Sequence, residues 1–257
     1  TFWFQSGDAL RWGAGDRLVF AAELDGWNRL YSLPASGGQP VALSGPECEV
    51  EDVTLAPDRR SIVYSSNCGD SDRRHLWRVS VAEGPPAAVT SGSGIEFNPQ
   101  MLADGRMVAF LGADARRPAT PQVVSLAGGK PRAIAPEALP ADFPAAQLVE
   151  PQQVVVQAAD GLAIHGQLFL PATRAGVRLP AVVFVHGGPV RQMLLGWHYR
   201  HYYHKTYAFN QYLAGQGYVV LSVNFRSGTG YGRAFRQAPK RGSRGASEYQ
   251  DVAAAAA

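Results

Sequence analysis

The 257-residue sequence has no apolar run near the roughly 20 residues that a membrane-spanning helix needs, so no membrane span is expected. It also lacks an excess of charge of one sign. The formal net charge is +3, too small to argue for a nucleic-acid partner. Cysteine is almost absent, with Cys48 and Cys68 alone. There is no Met and no signal peptide at Thr1, and the last residues, "EYQDVAAAAA", read as a helix just begun. Both ends are therefore expected to be cut, and a localisation signal upstream of Thr1 would be invisible here. What is plentiful is turn-forming residues, 28 Gly and 18 Pro, in a chain that is 46% hydrophobic and 18% charged. That composition fits a globular protein of one large or two ordinary domains, with many short strands. One basic stretch stands out. Arg226, Arg233, Arg236, Lys240, Arg241 and Arg244 have no acid among them, and a solvated loop or helix face is expected there.

The first half repeats. "LYSLPASGGQP" at Leu30 returns as "LWRVSVAEGPP" at Leu76, 46 residues on. Asp58 and Asp104, Tyr64 and Phe110, and Trp77 and Val123 keep the same interval of 46, while Asp16 lies 42 before Asp58. Each unit holds short β-rich runs such as "SIVYSS" and "MVAFLG", preceded by polar turns. Four short strands in a period in the mid-forties predict a propeller blade, with a solenoid as the rival. Residues 1–148 hold about three blades, fewer than the 4–8 that usually close a ring. An incomplete β-propeller is the expectation, with further blades upstream or supplied by a partner.

"ALPADFPAAQLVEPQQ" breaks the period, which places a domain boundary between residues 148 and 149. Beyond it the pattern changes. "QVVVQAADGLAIHGQLFLP" predicts two strands joined by a turn at Asp160 and Gly161. "AVVFVH" is a continuous apolar run, as expected of a strand buried on both faces. "YAFNQYLAGQG" predicts a helix ended by glycine, with Ala208, Tyr212 and Leu213 on one side. "YVVLSVNFR" predicts a second buried strand, and "ASEYQDVAAAAA" a helix with Ser247 as N-cap. This order opens an α/β sheet, so residues 149–257 read as the start of an α/β-hydrolase domain.

The third strand of that sheet runs into "HGGP", His186 to Pro189. In α/β-hydrolases an HGGG-type turn at this place supplies an N–H to the oxyanion hole. A tight turn with a Gly-Pro breaker is the alternative. A propeller followed by an α/β-hydrolase, with "HGGP" and then "NFRSGTGYG", resembles the prolyl oligopeptidase family of serine peptidases. The similarity is greatest to its dipeptidyl peptidase IV-like and acylaminoacyl-peptidase branches. "PDRRSIVYSS" and "ADGRMVAFLG" are similar to that family's propeller strands, and "GASEYQDV" to the helix before its nucleophile strand. The resemblance implies hydrolysis of peptide bonds by a Ser-Asp-His triad, peptide substrates, no cofactor and no metal, and it allows a homo-oligomer. It also implies a G-x-S-x-G elbow, and no such pentapeptide occurs in the 257 residues. The triad is therefore expected to lie outside the chain, and the chain alone is expected to be inactive. What carries over is the backbone oxyanion hole, Gly187 and Gly188. His186 stands where several relatives place a Tyr hydroxyl, and it reads either as an orienter of the turn or as a packed core residue. Two other readings stay open: a non-catalytic propeller binding module with a degenerate hydrolase half, and an esterase.

Two clusters have competing readings. "GWHYRHYYHKTYAF" gathers Trp197, Tyr199, Tyr202, Tyr203, Tyr207 and Phe209 with His198, His201 and His204. Core or interdomain packing, a wall of the substrate cleft and, against the geometry of converging ligands, a metal site are the readings. Cys48 and Cys68 bracket a hairpin whose turn is centred on Asp58 and Arg59, and a single bulge would bring the sulfurs together. A disulfide would point to the periplasm or the exterior, and two free thiols to the cytoplasm.

Overall fold

The structure is a computed structural model that describes residues 10–172, 177–242 and 246–257. It divides into two compact units, one of residues 1–112 and 120–141, the other of 113–119 and 142–257. The division after Ala141 falls inside the Pro- and Ala-rich segment, seven residues before the boundary read from the sequence. The loop Ala113–Ala119 groups with the second unit.

The first unit contains three four-stranded antiparallel sheets among its described residues. β1 (Arg11–Gly13), β2 (Arg17–Ala22), β3 (Arg29–Pro34) and β4 (Val41–Ala42) form the first. β5 (Val50–Leu55), β6 (Ser61–Ser66), β7 (His75–Ser80) and β8 (Ala87–Ala88) form the second. β9 (Ile95–Met101), β10 (Met107–Ala113), β11 (Thr120–Ser125) and β12 (Arg132–Ala133) form the third. Each is a meander in chain order, as a propeller-like blade requires. The 46-residue repeat maps strand onto strand, with one difference in pairing. Tyr64 faces Trp77, but Phe110 faces Gln122, and Val123 pairs with Ala109. The connection between β10 and β11 is closed tightly by Asp114, whose backbone N–H donates to the Arg117 carbonyl at 3.0 Å. It slips the register by one residue.

Why "SIVYSS" carries no polar-out alternation becomes clear from the packing. β6 is buried along its whole length. Ile62 and Tyr64 join Val19, Leu30 and Leu43 of the first sheet, while Val63 joins Val108, Phe110 and Val124 of the third. Stacked sheets bury both faces of the middle one, and hydroxyls replace charges there. Side chains also tie neighbouring sheets together. Arg17 Nε donates to the Val81 carbonyl at 3.1 Å, and the Asn98 N–H donates to Asp52 Oδ2 at 2.8 Å. In the β5–β6 hairpin the pairing jumps from Val50–Ser66 to Val53–Tyr64. Two residues oppose one, a bulge that puts Cys48 across from Cys68. Their Cα atoms are 4.8 Å apart and a disulfide joins them.

The second unit is a mixed sheet in the order β13-β14-β16-β15. β13 (Gln152–Gln157) and β14 (Ala163–Phe169) form the expected hairpin. β15 (Ala181–Val185), α1 (His201–Gly215) and β16 (Val219–Asn224) form a parallel crossover. α2 (Gly232–Arg236) and α3 (Ser247–Ala256) follow. Leu221, Val223 and Phe225 pack with Phe235 and Val252 on the face that α3 covers. On the other face Phe169 meets Tyr207 of α1 edge-on, ring centroids 5.5 Å apart. No described helix is long and apolar enough to cross a membrane.

Four local expectations are corrected. β15 is not buried on both faces: it is the last strand of the described sheet, and Val183 and Val185 are 39% and 46% exposed. The helix buries Tyr203, Tyr207, Asn210, Gln211 and Ala214, while Tyr212 lies outside. Its inner stripe includes two amides, which an apolar pattern cannot reveal. Gln211 earns burial by hydrogen bonding, its Oε1 accepting from the Val149 N–H at 2.9 Å and its Nε2 donating to the Val149 carbonyl at 2.7 Å. Ser247 is the first helical residue of α3 rather than its cap, and its hydroxyl donates to the Lys240 carbonyl at 2.9 Å. Finally, the basic stretch is not all solvated. Arg233, Lys240 and Arg241 are exposed, but Arg226 and Arg236 are buried, and Arg244 lies outside the described residues.

Candidate active site

The parallel pairing of β15 with β16 sends both strands out at the same end of the sheet. In open α/β sheets, ligands bind at the carboxyl ends of such strands. From β15 emerge His186, Gly187, Gly188 and Pro189. Gly188 has φ +106°, a backbone angle that L side chains rarely adopt. A Cβ there would also lie 3.2 Å from Arg191 Cγ, whereas one on Gly187 would meet nothing within 4 Å. Within the described residues neither the Gly187 nor the Gly188 N–H donates a hydrogen bond. Both glycines are exposed.

A cavity of about 380 Å³ opens beside this turn. Val185, His186, Gly188 and Phe225 line it on the sheet side, Glu248 and Tyr249 on the α3 side. His186 forms part of its floor. The ring is 3% exposed and stacks on Phe225, centroids 4.4 Å apart. Burial, reinforced by the nearby Arg191 charge, lowers its pKa to about 4, so the imidazole is neutral at pH 7. The Gly187 carbonyl is the neighbour of Nδ1, at 3.4 Å, and Nε2 has no partner among the described residues.

The loop after the turn is fastened to the loop after β16. Asn224 Oδ1 accepts the Met193 N–H at 2.8 Å, and its Nδ2 donates to the Met193 carbonyl at 2.9 Å, so one amide side chain pairs with residue 193 as a strand would. Gln167 Nε2 donates to the same carbonyl at 2.7 Å. The Thr229 N–H donates to the Arg191 carbonyl at 3.0 Å. A Cβ on Gly228 would sit 2.7 Å from that carbonyl oxygen. Glycine in "NFRSGTGYG" is thus set by the close approach of two backbones.

Arg226 locks the other wall. Its guanidinium is 1% exposed and lies between two carboxylates. Nη2 donates to Asp251 Oδ1 of α3 at 2.6 Å, and Nη1 to Asp160 Oδ2 of the β13–β14 turn at 2.7 Å. The Arg226 N–H reaches Asp251 Oδ2 at 2.9 Å. Hydrogen bonding to Arg226 holds the Asp160 carboxyl at a pKa of about 2. One residue on, Ser227 Oγ donates to Glu248 Oε1 at 2.6 Å, and the Gly242 N–H donates to the same carboxylate at 3.0 Å. Asp251, Asn224 and Glu248 escaped the reading of the sequence, and Asp160 is read there only as a turn residue. They lie 66 and 25 residues from Arg226, or inside a strand and a helix, with no local spacing to mark them.

The aromatic and histidine cluster divides. Trp197, Tyr203 and Tyr207 are buried, whereas Tyr202 and Phe209 are 69% and 56% exposed. The Tyr207 hydroxyl donates to the Ala115 carbonyl at 2.7 Å. His198 uses both ring nitrogens, Nε2 to the Gln192 carbonyl and Nδ1 from the Arg200 N–H, each at 2.9 Å. His204 lies against Trp197, centroids 4.9 Å apart. The three imidazoles do not converge, and no group of three His, Cys, Asp or Glu fit to hold a metal occurs among the described residues.

Comparison with known proteins bears on both units. Residues 1–114 match the dipeptidyl peptidase IV (DPP IV) N-terminal region, and residues 205–257 match the prolyl oligopeptidase family. The chain is 35% identical over 103 residues to the uncharacterized peptidase YuxL of Bacillus subtilis (strain 168), covering 40% of this chain and 14% of that protein. It is 37% identical over 98 residues to the dipeptidyl aminopeptidase BIII of Pseudoxanthomonas mexicana, covering 35% and 13%. Among solved structures, a puromycin-hydrolyzing peptidase of Mycobacterium tuberculosis superposes with a TM-score of 0.77 at 25% identity, over 96% of this chain and 38% of that one. An acylaminoacyl peptidase shares the fold with a TM-score of 0.68 at 19% identity, over 94% and 36%. The chain thus spans well under half the length of the relatives it matches. Two matches in the same order along the chain, on a fold shared with solved peptidases, make it similar in both units to members of the prolyl oligopeptidase family.

Proposed function

We propose that this chain supplies the oxyanion hole of a serine-type peptidase. The N–H groups of Gly187 and Gly188 would receive the charge that develops on the scissile carbonyl oxygen when the nucleophile attacks. One observation carries the reading: two adjacent N–H groups without internal partners, at the carboxyl end of a parallel strand, with Gly188 and His186 lining a cavity. Such preorganised donors act where charge appears in the transition state, and one donor is worth about 10²–10³ in kcat. His186, neutral and packed under the turn, orients it.

The sequence contains no G-x-S-x-G, so the Ser, Asp and His of the triad are assigned to chain outside these 257 residues. Residues 1–148 are proposed to be part of an incomplete propeller ring of about three blades, and 149–257 the opening of the hydrolase domain. The names of the relatives, a dipeptidyl aminopeptidase and an acylaminoacyl peptidase, point to cleavage near a peptide amino terminus. The test is Gly188→Ala in the protein that carries this chain together with a G-x-S-x-G elbow. Its kcat should fall about 100-fold with KM nearly unchanged. A folded variant with near-normal kcat would overturn the assignment.

A further inference from the structure

Beneath the exit of β15, Tyr203 of α1 donates its hydroxyl hydrogen to the Gly187 carbonyl at 2.9 Å. His186 Nδ1 lies 3.4 Å from the same oxygen. Both side chains are buried, with the ring of His186 edge-on to that of Tyr203, centroids 6.4 Å apart. A trans peptide is planar, and its C=O and N–H point in opposite directions. The Gly187 carbonyl and the Gly188 N–H belong to one such plane. A donor that fixes the carbonyl on the buried side therefore aims the Gly188 N–H the other way, and Gly188 lines the cavity. Neither glycine has a Cβ to stop this plane from turning over by itself.

We propose that Tyr203 is a positioning residue: its hydroxyl, acting through the Gly187 carbonyl, sets the direction of the Gly188 N–H at the cavity. The catalytic meaning of this contact rests on the oxyanion reading above, but the contact itself does not. It also separates the two donors. The Gly188 N–H is fixed by Tyr203, whereas the Gly187 N–H belongs to the preceding peptide plane, which Tyr203 does not reach.

The experiment is triple-resonance NMR of the 257-residue chain with Tyr203→Phe, which keeps the ring and removes only the hydroxyl. A carbonyl that loses a hydrogen-bond donor moves its carbon resonance upfield. The Gly187 carbonyl carbon should move upfield, the Gly188 amide should shift, and its order parameter should fall. Tyr207→Phe, one helical turn on, removes a hydroxyl bonded to the Ala115 carbonyl and should leave both glycines unchanged. An unmoved Gly187 carbonyl in a folded Tyr203→Phe chain overturns the proposal. A second measurement needs no variant: the wild-type Tyr203 hydroxyl proton should exchange slowly and show a nuclear Overhauser contact to Gly187, and fast exchange with water overturns the proposal. In a peptidase that joins this chain to a G-x-S-x-G elbow, Tyr203→Phe should lower kcat about tenfold at unchanged KM, less than the loss of a whole donor. Normal kcat overturns the positioning role. A wild-type protein of that kind without any peptidase activity would instead refute the oxyanion reading, and the resonances would still decide what Tyr203 holds.

Discussion

At the scale of single residues, the two glycines of "HGGP" are not equivalent. Gly188 holds φ +106° with Arg191 Cγ close by, and Gly187 has open space where a Cβ would go. Gly187→Ala should therefore fold as the wild type does and, in a peptidase that joins this chain to a G-x-S-x-G elbow, cost less than tenfold in kcat, against about 100-fold for Gly188→Ala. Equal losses, measured by steady-state kinetics, would contradict this ranking. His186 makes a separate prediction. Its folded pKa of about 4 lies below the unfolded value of about 6.5, so the unfolded chain binds more protons between these limits. The resulting stability is complete above pH 6.5 and is lost as pH falls toward 4. The full difference is about 3 kcal/mol. Urea unfolding at pH 7.5 and 4.5 should show the decline, and His186→Gln should flatten it. A His186 imidazole that titrates near 6.5 by NMR would remove the effect.

At the scale of elements, the bulged hairpin β5–β6 is closed by Cys48–Cys68, 20 residues apart. A cross-link over such a loop restricts the unfolded chain by about 3 kcal/mol. Reduction should lower the unfolding midpoint accordingly, and free thiols in a sample purified without reductant would contradict the bridge. Helix α3 is anchored by Asp251, fully buried against Arg226. Asp251→Ala leaves a buried guanidinium with one partner fewer and should destabilise by about 3 kcal/mol. Asp160→Asn should cost clearly less, because Asp160 is half exposed and solvent screens the pair. The depressed pKa of Asp160 contributes stability above the usual carboxylate range, and that contribution disappears as pH falls through about 2. Comparable losses in the two variants by chemical denaturation would mean that Asp251 is not the anchor.

At the scale of the whole chain, the proposed oxyanion donors, Gly187 and Gly188, have no G-x-S-x-G serine beside them in the 257-residue sequence. The 257-residue chain should show no turnover of aminoacyl or dipeptidyl chromogenic substrates and no stoichiometric labelling by a fluorophosphonate probe. Specific labelling of any serine in it would refute the assignment of the triad to other chain. Ser227, the serine nearest the site in sequence motif, is only 2% exposed and donates to Glu248, an arrangement that holds a loop rather than one that attacks a carbonyl.

The sequence by itself determined the element order, the blade-like repeat, the hairpin at Asp160 and the glycine turn after β15. These follow from local rules: alternation, turn residues and a period shared by neighbouring units. The position of the turn brought Cys48 within one residue of Cys68, and the structure supplied the bulge between Val50 and Val53 that unites them. Tertiary structure alone decided which charges pair and which amides are inside. Arg226 looks like one member of a solvated basic run until Asp160 and Asp251 arrive from distant segments. Gln211 and Asn224 interrupt apolar patterns, and their burial is stable only because the Val149 and Met193 backbones come to meet them. The same holds for Tyr203, one aromatic residue in a crowded stretch, whose hydroxyl gains a role only when α1 brings it under the Gly187 carbonyl.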